Sequence, residues 1–319
     1  MAYYLGLDTS NYTTSVAVYD TGFNKILQVK KLLPVKSGQK GLRQSDAVFH
    51  HTVQLPEVLG QLDVSGIKFS GIGVSVRPRN VEYSYMPCFL CGQSAARMFG
   101  HVLRVPVYET SHQTGHILAA LYSSGRLFWR NQNFLAFHVS GGTTDCVVCE
   151  PDTENMLQIR SVSSSLDLKA GQLIDRVGIM LGLHFPCGAE LEQLAMQSTK
   201  TFVYKPVMKD LNCCMSGLEN QCRKLYQENM PICDVAMFCL TAIAEILKAM
   251  TDLALAQEKS KSVLYAGGVM SNCYLQKKLS DCFASRSGVE LAFAEPTFSC
   301  DNAAGTAIYA AIHDSDFAY

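Results

Sequence analysis

The chain reads as an α/β protein built from two duplicated lobes, each a mixed β-sheet flanked by helices, and three observations carry that reading. Residues 134–148, FLAFHVSGGTTDCVV, run an apolar stretch into Ser140-Gly141-Gly142-Thr143-Thr144-Asp145 and out through a second apolar stretch. That is the pattern of a strand, a tight loop and a returning strand. Residues 4–18, YLGLDTSNYTTSVAV, repeat the unit: without a gap they share Leu5/Leu135, Ser10/Ser140, Thr13/Thr143, Thr14/Thr144 and Val18/Val148. A length of 319 residues fits two domains. Two copies of one hairpin in such a chain predict a duplicated fold whose two loops face each other across a cleft.

Composition narrows the function classes. Hydrophobic residues make up 48% and charged residues 17% of the chain, which excludes a disordered protein. A formal net charge of -1 gives no global pull toward nucleic acid or acidic membranes. A nucleic-acid partner therefore needs a local basic patch or a helper protein. No apolar run reaches membrane-spanning length, and MAYYLGLD enters a strand without a secretory signal, so the expected location is cytoplasmic. Thirteen scattered cysteines read as reduced thiols. Of the two Cys-x-x-Cys pairs, Cys146 and Cys149 fall on opposite faces of one strand and cannot pinch an ion, whereas Cys88 and Cys91 open a helix as small buried thiols.

In chain order, residues 3–8 and 14–19 are the first hairpin and 25–33 its third strand. Asp8 ends the first strand, placed either to contact a metal-bound water or phosphate or to cap the turn. The basic connection 38–43 is expected to be a solvated loop. Helical periodicity covers 45–62, with His50 and His51 read as surface or capping residues. A strand at 69–76 feeds Arg77-Pro78-Arg79-Asn80, which either receives an anion or is solvated. A helix over 87–104 and a strand at 105–108 follow. Ser111 is an N-cap for a helix carrying His112 and His116. Four apart, the two imidazoles share a helical face and can share an ion, or serve as polar-face residues.

Two glycines at Gly141-Gly142 let a backbone approach a ligand, and the loop amides with the hydroxyls of Ser140, Thr143 and Thr144 are expected to ring a phosphate. A strand near 157–162 precedes a helix at 166–183 carrying Asp175, read as a ribose or amino-acid contact or as half of a buried salt bridge. His184-Phe185-Pro186-Cys187-Gly188 is a turn before a helix with Glu190 and Glu192. Residues 200–232 read as a poorly periodic surface excursion, and 234–258 as a core helix. The strand 262–266 enters Gly267-Gly268-Val269-Met270-Ser271-Asn272 and a helix start, where a base or ribose can lie on the backbone. After a last strand at 289–293, Asp301 opens the final helix, as an N-cap or as the third ligand the histidine pair needs.

Together these motifs resemble the ASKHA (actin, sugar kinase, Hsp70-like) architecture and, within it, the TsaD family of tRNA adenosine threonylcarbamoyltransferases. His112 and His116 stand at the family's His-x-Glu-Gly-His, 138–142 at its Val-Ser-Gly-Gly loop, and Asp175 in Leu173-Ile174-Asp175-Arg176 at its ligand-binding Asp. Gly188 matches the Tyr-Pro-Gly-Gly turn, Glu192 an acid of archaeal-type members, and Ala266-Gly267-Gly268-Val269 with Asn272 the Gly-Gly-Val-x-x-Asn motif. Asp301-Asn302-Ala303-Ala304 matches Thr-Asp-Asn-Ala-Ala, whose Asp is the third metal ligand. The chain departs where Thr-Ser-Cys-Asp-Glu-Thr becomes Thr9-Ser10-Asn11-Tyr12-Thr13-Thr14 and Gly-Pro-Gly-Leu becomes Arg77-Pro78-Arg79-Asn80. Thr114 replaces the Glu between the histidines, and Thr143 the His after Ser-Gly-Gly.

The resemblance implies a lobe of residues 1–105 closed by a C-terminal helix at 301–319, a second lobe of 106–300, and one divalent metal, iron or zinc. His112, His116 and Asp301 are its expected ligands, joined by His138, which replaces an archaeal-type tyrosine ligand and enriches the site in nitrogen. An ATP- or AMP-type adenylate is expected over His138, Val139, Ser140, Gly141, Gly142, Asp175, Gly188, Glu192, Gly267, Gly268 and Asn272. Asp8 and Ser10 are the expected catalytic residues. The implied reaction carries the threonylcarbamoyl group of threonylcarbamoyl-AMP to the exocyclic amine of an anticodon-adjacent adenosine in tRNA, alongside a TsaB-like dimerisation subunit and a TsaE-like ATPase. The competing readings are a non-catalytic adenylate-binding paralogue that scaffolds the modifying complex and an ASKHA small-molecule kinase or ATPase. No Glu stands in the helix to activate water as in His-Glu-x-x-His, which disfavours a metalloprotease.

Overall fold

The hairpin echo folds into two sheets with one strand plan. The computed structural model describes residues 1–10, 12–34 and 42–314. Most of the basic connection at 38–43, and Asn11 of the first turn, lie outside the described residues. One sheet holds β1 (Tyr3–Ser10), β2 (Thr13–Asp20), β3 (Lys25–Leu32), β4 (Phe69–Arg77) and β5 (Val107–Ser111), in the order β3-β2-β1-β4-β5. The other holds β6 (Phe134–Val139), β7 (Thr144–Asp152), β8 (Met156–Ser164), β11 (Ser262–Ala266) and β12 (Glu290–Phe293), in the order β12-β11-β6-β7-β8. Reversed, the second order matches the first strand for strand. In each, a hairpin's first strand also pairs in parallel with a later strand, β1 with β4 and β6 with β11. The equivalence extends to register, since Leu5 faces Val18 and Leu135 faces Val148, two of the five identities in the sequence echo.

The chain divides into two units. The first comprises Met1–Ser123, Asp152–Gln158 and Cys300–Tyr319; the second comprises Ser124–Pro151 and Ile159–Ser299. The expected boundary at 105 therefore moves: β5 hydrogen-bonds to β4, and this pairing takes residues 106–123 into the first unit. The strand expected at 105–108 is displaced to β5 for the same reason.

In the first unit, α1 (Gln44–Leu59) and α2 (Phe89–Leu103) cover a core of Leu5, Leu7, Val16, Val18, Ile72 and Val74. Helices α3 (His112–Ser123) and α9 (Ala304–His313) pack on one another, and α9 also packs on β1 and β4. Close approach here is written in glycine. A Cβ on Gly6 would meet the backbone of Ala303, one on Gly73 that of Thr306, and one on Gly305 that of Gly115. The missing side chains at these three positions let backbones meet and bring the starts of α3 and α9 together.

The second unit's core centres on α7 (Ile232–Glu258), nearly continuous in buried apolar residues as expected. Around it lie α4 (Ala170–Met180), α5 (Gly188–Ala195), α6 (Ser216–Gln227) and α8 (Cys273–Phe283), with a short hairpin of β9 (Met208–Lys209) and β10 (Asn212–Cys213). The 200–232 stretch is thus not merely a surface excursion: α6 buries Leu218 and Cys222. Helix α4 starts later than the expected 166 because the Asp167 carboxylate accepts hydrogen bonds from the amides of Leu168, Met215 and Ser216, holding its own backbone in a turn. No described helix is long and apolar enough to cross a membrane.

The α3–α9 crossing predicts a specific fragility. Gly305→Ala drives a methyl group into the Gly115 backbone and is expected to cost about 1–3 kcal/mol, the range for overpacking a rigid contact. Urea denaturation checks this, and a change within about 0.5 kcal/mol would contradict the account.

Candidate functional site

The first turn of α3 and the approach to α9 carry the most concentrated chemistry in the first unit. Ser111 closes β5, and its Oγ accepts the amide of Thr114, the expected N-cap contact. This starts α3 at His112 and puts His112 and His116 one turn apart on one face. The amide of Ala304 at the start of α9 donates to Oδ1 of Asn302, so Asn302 satisfies a donor that Asp301 would otherwise take. Asp301 turns instead toward the imidazoles.

The resulting triangle is tight. Nε2 of His112 and Nε2 of His116 lie 2.9 Å apart, His116 Nε2 is 3.1 Å from Asp301 Oδ1, and His112 Nε2 is 3.6 Å from the same oxygen. Bonds of about 2.1 Å to a divalent ion place donors about 3.0 Å apart at a right angle and about 3.4 Å apart at a tetrahedral one. The three edges match cis ligands of one cation, and these residues form the one such cluster among the described residues.

Each ligand is braced from behind. Nδ1 of His112 donates to Oδ2 of Asp8 at 2.8 Å, which fixes the tautomer that leaves Nε2 its lone pair. Oδ1 of Asp8 accepts the Ser10 amide, and Thr13 Oγ1 donates to Oδ2 of Asp301 at 3.1 Å. Burial opposes the charge on Asp8, but the His112 imidazole overrides it and holds the carboxyl below its usual range. Asp301 is likewise opposed by burial and pulled well below its usual range by hydrogen bonds from both imidazoles. Burial alone would lower His112, yet Asp8 and Asp301 raise it to about 10. A proton therefore occupies the cluster at neutral pH.

Asp8 thus bears on the histidine rather than only capping a turn. Ser10 ends β1 buried, its hydroxyl without a hydrogen-bond partner among the described residues. His51 is neither a surface nor a capping residue: it is fully buried, with Nδ1 2.8 Å from Thr14 Oγ1, and burial lowers its pKa. Arg77 Nε donates to Asn80 Oδ1, and Asn80 Nδ2 donates to Thr114 Oγ1 between the two histidines. The brace by Thr13 and the Asn80–Thr114 link had no sequence signal, because their partners lie 288 and 34 residues away.

In the second unit, the Ser140–Thr143 turn is more self-contained than expected. Ser140 Oγ accepts the amides of Gly142 and Thr143, Thr144 Oγ1 donates to the Thr143 carbonyl and accepts the Ala170 amide, and the Ser140 carbonyl accepts the Gly171 amide. The Gly142 and Thr143 amides and the Thr144 hydroxyl, expected to ring a phosphate, are thereby spent inside the hairpin. Gly141 and Gly142 nonetheless face open space, with nothing within 4 Å of an added Cβ. His138 and Val139 end β6, His138 half-buried. Gly267 is required at a φ of 100°, where a Cβ would meet the Val139 backbone, and Gly268 beside it faces open space. Asn272 caps α8 by accepting the Leu275 amide, and Glu192 accepts the amide of Tyr274. Asp175 accepts the Cys187 amide rather than forming a buried salt bridge, and Gly188 opens α5 with open space around its Cβ position.

The fold is of ASKHA architecture, and it carries a His112, His116 and Asp301 cluster with the spacing of metal ligands. The likeness to solved structures is to the fold: full-length HypF in its phosphate- and nucleotide-bound form superposes with a TM-score of 0.60 at 12% identity, over 96% of this chain and 54% of that one. A ROK family glucokinase from Streptomyces griseus gives 0.54 at 10% identity, over 97% and 99%. A family described as TsaD, tRNA N6-adenosine threonylcarbamoyltransferase, matches residues 50–308. Proteins named tRNA N6-adenosine threonylcarbamoyltransferase are 30% identical in Enterococcus faecalis, over 98% of this chain and 91% of that protein, and 31% identical in Thermosipho melanesiensis, over 95% and 92%. The chain belongs to the TsaD family.

Two outcomes test the centre. Asp8→Asn is expected to weaken metal binding by about 10–100-fold in chelator competition, the usual cost of losing a carboxylate behind a metal-bound histidine; unchanged affinity would contradict the brace. In metal-free protein, His112 has a folded pKa raised above its ordinary 6.5, so its stabilisation is full below that value and is lost as pH rises through about 10. The melting midpoint is expected to fall over that window, and to fall less in His112→Gln; equal slopes would contradict it.

Proposed function

We propose that this chain transfers the threonylcarbamoyl group of threonylcarbamoyl-AMP to the exocyclic amine of an anticodon-adjacent adenosine in tRNA, releasing AMP. The observation that supports the reading is the preformed His112, His116 and Asp301 triangle in a chain that matches the family over most of its length. Two nitrogens, one carboxylate and open positions suit iron or zinc better than magnesium. Such an ion, when bound, supplies Lewis-acid polarisation of a carbonyl or carboxylate oxygen.

The chain's own residues do the rest. Asp8 keeps His112 Nδ1 protonated and its ring fixed, and Thr13 holds the second oxygen of Asp301. Ser10, buried with unspent hydrogen-bonding capacity, is the proposed polar contact of the reacting group. In the second unit, the open faces of Gly141, Gly142, Gly188 and Gly268 admit the adenylate, while Asp175, Glu192 and Asn272 hold the surrounding turns in shape. An exocyclic amine is a weak nucleophile, so positioning supplies most of the acceleration. TsaB-like and TsaE-like proteins are the proposed partners, in keeping with a near-neutral chain that shares tRNA binding.

Purified components decide the matter. With threonylcarbamoyl-AMP, tRNA and partner proteins, this chain is expected to produce modified adenosine, and His116→Ala to lower the rate at least a hundredfold. A wild-type chain without activity, but needed by another transferase in the same mixture, would replace the reading with that of a scaffolding paralogue. Metal analysis of His138→Ala decides whether that histidine is a further donor: a fall in occupancy assigns it, and unchanged occupancy removes it.

A further inference from the structure

In the first unit, the loop after β4 frames a groove. A cavity of about 380 Å³ is lined by Arg77, Asn80, Tyr83, Tyr85 and Asn155 among others. Tyr83 is 92% and Tyr85 63% exposed. Tyr83 sits at a φ of 60°, a conformation disfavoured for a bulky residue. Arg77 is half-buried, with Nε committed to Asn80, and no carboxylate among the described residues pairs with it. Its remaining guanidinium donors keep their charge for a ligand. Arg79 adds an exposed cation, and its amide donates to Ser84 Oγ, closing the loop.

The floor of this groove is bolted to the metal-bearing turn. Besides the Asn80–Thr114 bond, the Pro78 carbonyl accepts the amide of Gln113 at 3.0 Å. Two departures that look independent in sequence, Arg-Pro-Arg-Asn in the loop and Thr114 between the histidines, meet in one hydrogen bond. These bonds keep the loop registered on α3.

We propose that this groove binds a single-stranded segment of RNA, with Arg77 taking a backbone phosphate and Tyr83 and Tyr85 offering their faces to unstacked bases. A guanidinium beside solvent-exposed planar rings is the combination that serves single-stranded nucleic acid. The loop's two arginines, in a segment that also carries the exposed Glu82, are the local cations that a chain of net charge -1 offers an RNA backbone. An acidic peptide would use the cations and leave the rings idle. The inference rests on the transferase reading for its choice of RNA, and it deepens that reading by placing part of the acceptor's flanking strand against the turn that holds His112 and His116.

The test titrates the full chain, metal-loaded, with a fluorescent single-stranded oligoribonucleotide and with an anticodon-arm hairpin at several salt concentrations. Arg77→Gln is expected to weaken both and to reduce the slope of log affinity against log salt by about 0.7, the share of one single-strand phosphate. Tyr83→Leu is expected to weaken binding roughly five- to hundredfold, with Tyr83→Phe close to wild type, because stacking uses the ring and not the hydroxyl. Wild-type RNA affinity in both Arg77→Gln and Tyr83→Leu would overturn the proposal, as would displacement of the RNA by inorganic phosphate or AMP at equal concentration, which would mark a mononucleotide site. Tyr83 is exposed, so its variants report on binding even where Arg77→Gln does not fold. RNA binding that depends on Arg77 and Tyr83 in a chain without transferase activity keeps the groove and removes the reaction. Full transfer with unaltered RNA binding in both variants does the reverse.

Discussion

The metal triangle depends on a contact that contains no metal ligand, the crossing of α3 over α9 at Gly115 and Gly305. The helices could not approach so closely with a side chain on Gly305, and at that separation Asp301, which precedes α9, comes within 3.1 Å of an imidazole on α3. The same economy recurs at Gly6 and Gly73, where α9 lies on β1 and β4. Glycine is unfavourable in helix and strand interiors, by roughly 0.5–1 kcal/mol each relative to alanine. Its use at Gly6, Gly73 and Gly305 exchanges local stability for a fixed distance between groups 185 residues apart.

Electrostatics then defines what that distance is for. Two carboxylates and two imidazoles in a half-buried corner repel or attract strongly depending on the protons they hold, and here the carboxylates prevail, drawing His112 up to about 10. Asp8 keeps His112 in its orientation and tautomer.

Much of this was legible in the sequence, for identifiable reasons. The duplicated sheets showed because the two hairpins keep their identities at paired positions, and Leu5 with Val18 and Leu135 with Val148 are cross-strand neighbours in the fold. His112 and His116 showed because helical periodicity places residues four apart on one face. Other features were hidden because they depend on contacts distant in sequence. The pattern of residues 200–232 did not reveal α6, whose burial is set by packing in the core around α7. His51 read as polar surface because nothing local announces that its partner Thr14 waits on β2. The Ser140 loop read as a phosphate cradle because its composition does not reveal that Ser140 Oγ collects its amides. Asn80 and Thr114 read as separate losses and prove to be partners.

The measurement that bears most directly on the account is the position of a bound metal. In a crystal of protein purified without added metal, data collected on either side of the iron and zinc absorption edges are predicted to show one anomalous peak about 2.1 Å from His112 Nε2, His116 Nε2 and Asp301 Oδ1. Imidazoles that stay hydrogen-bonded to the carboxylate, with no peak among them even after soaking in either ion, would contradict it.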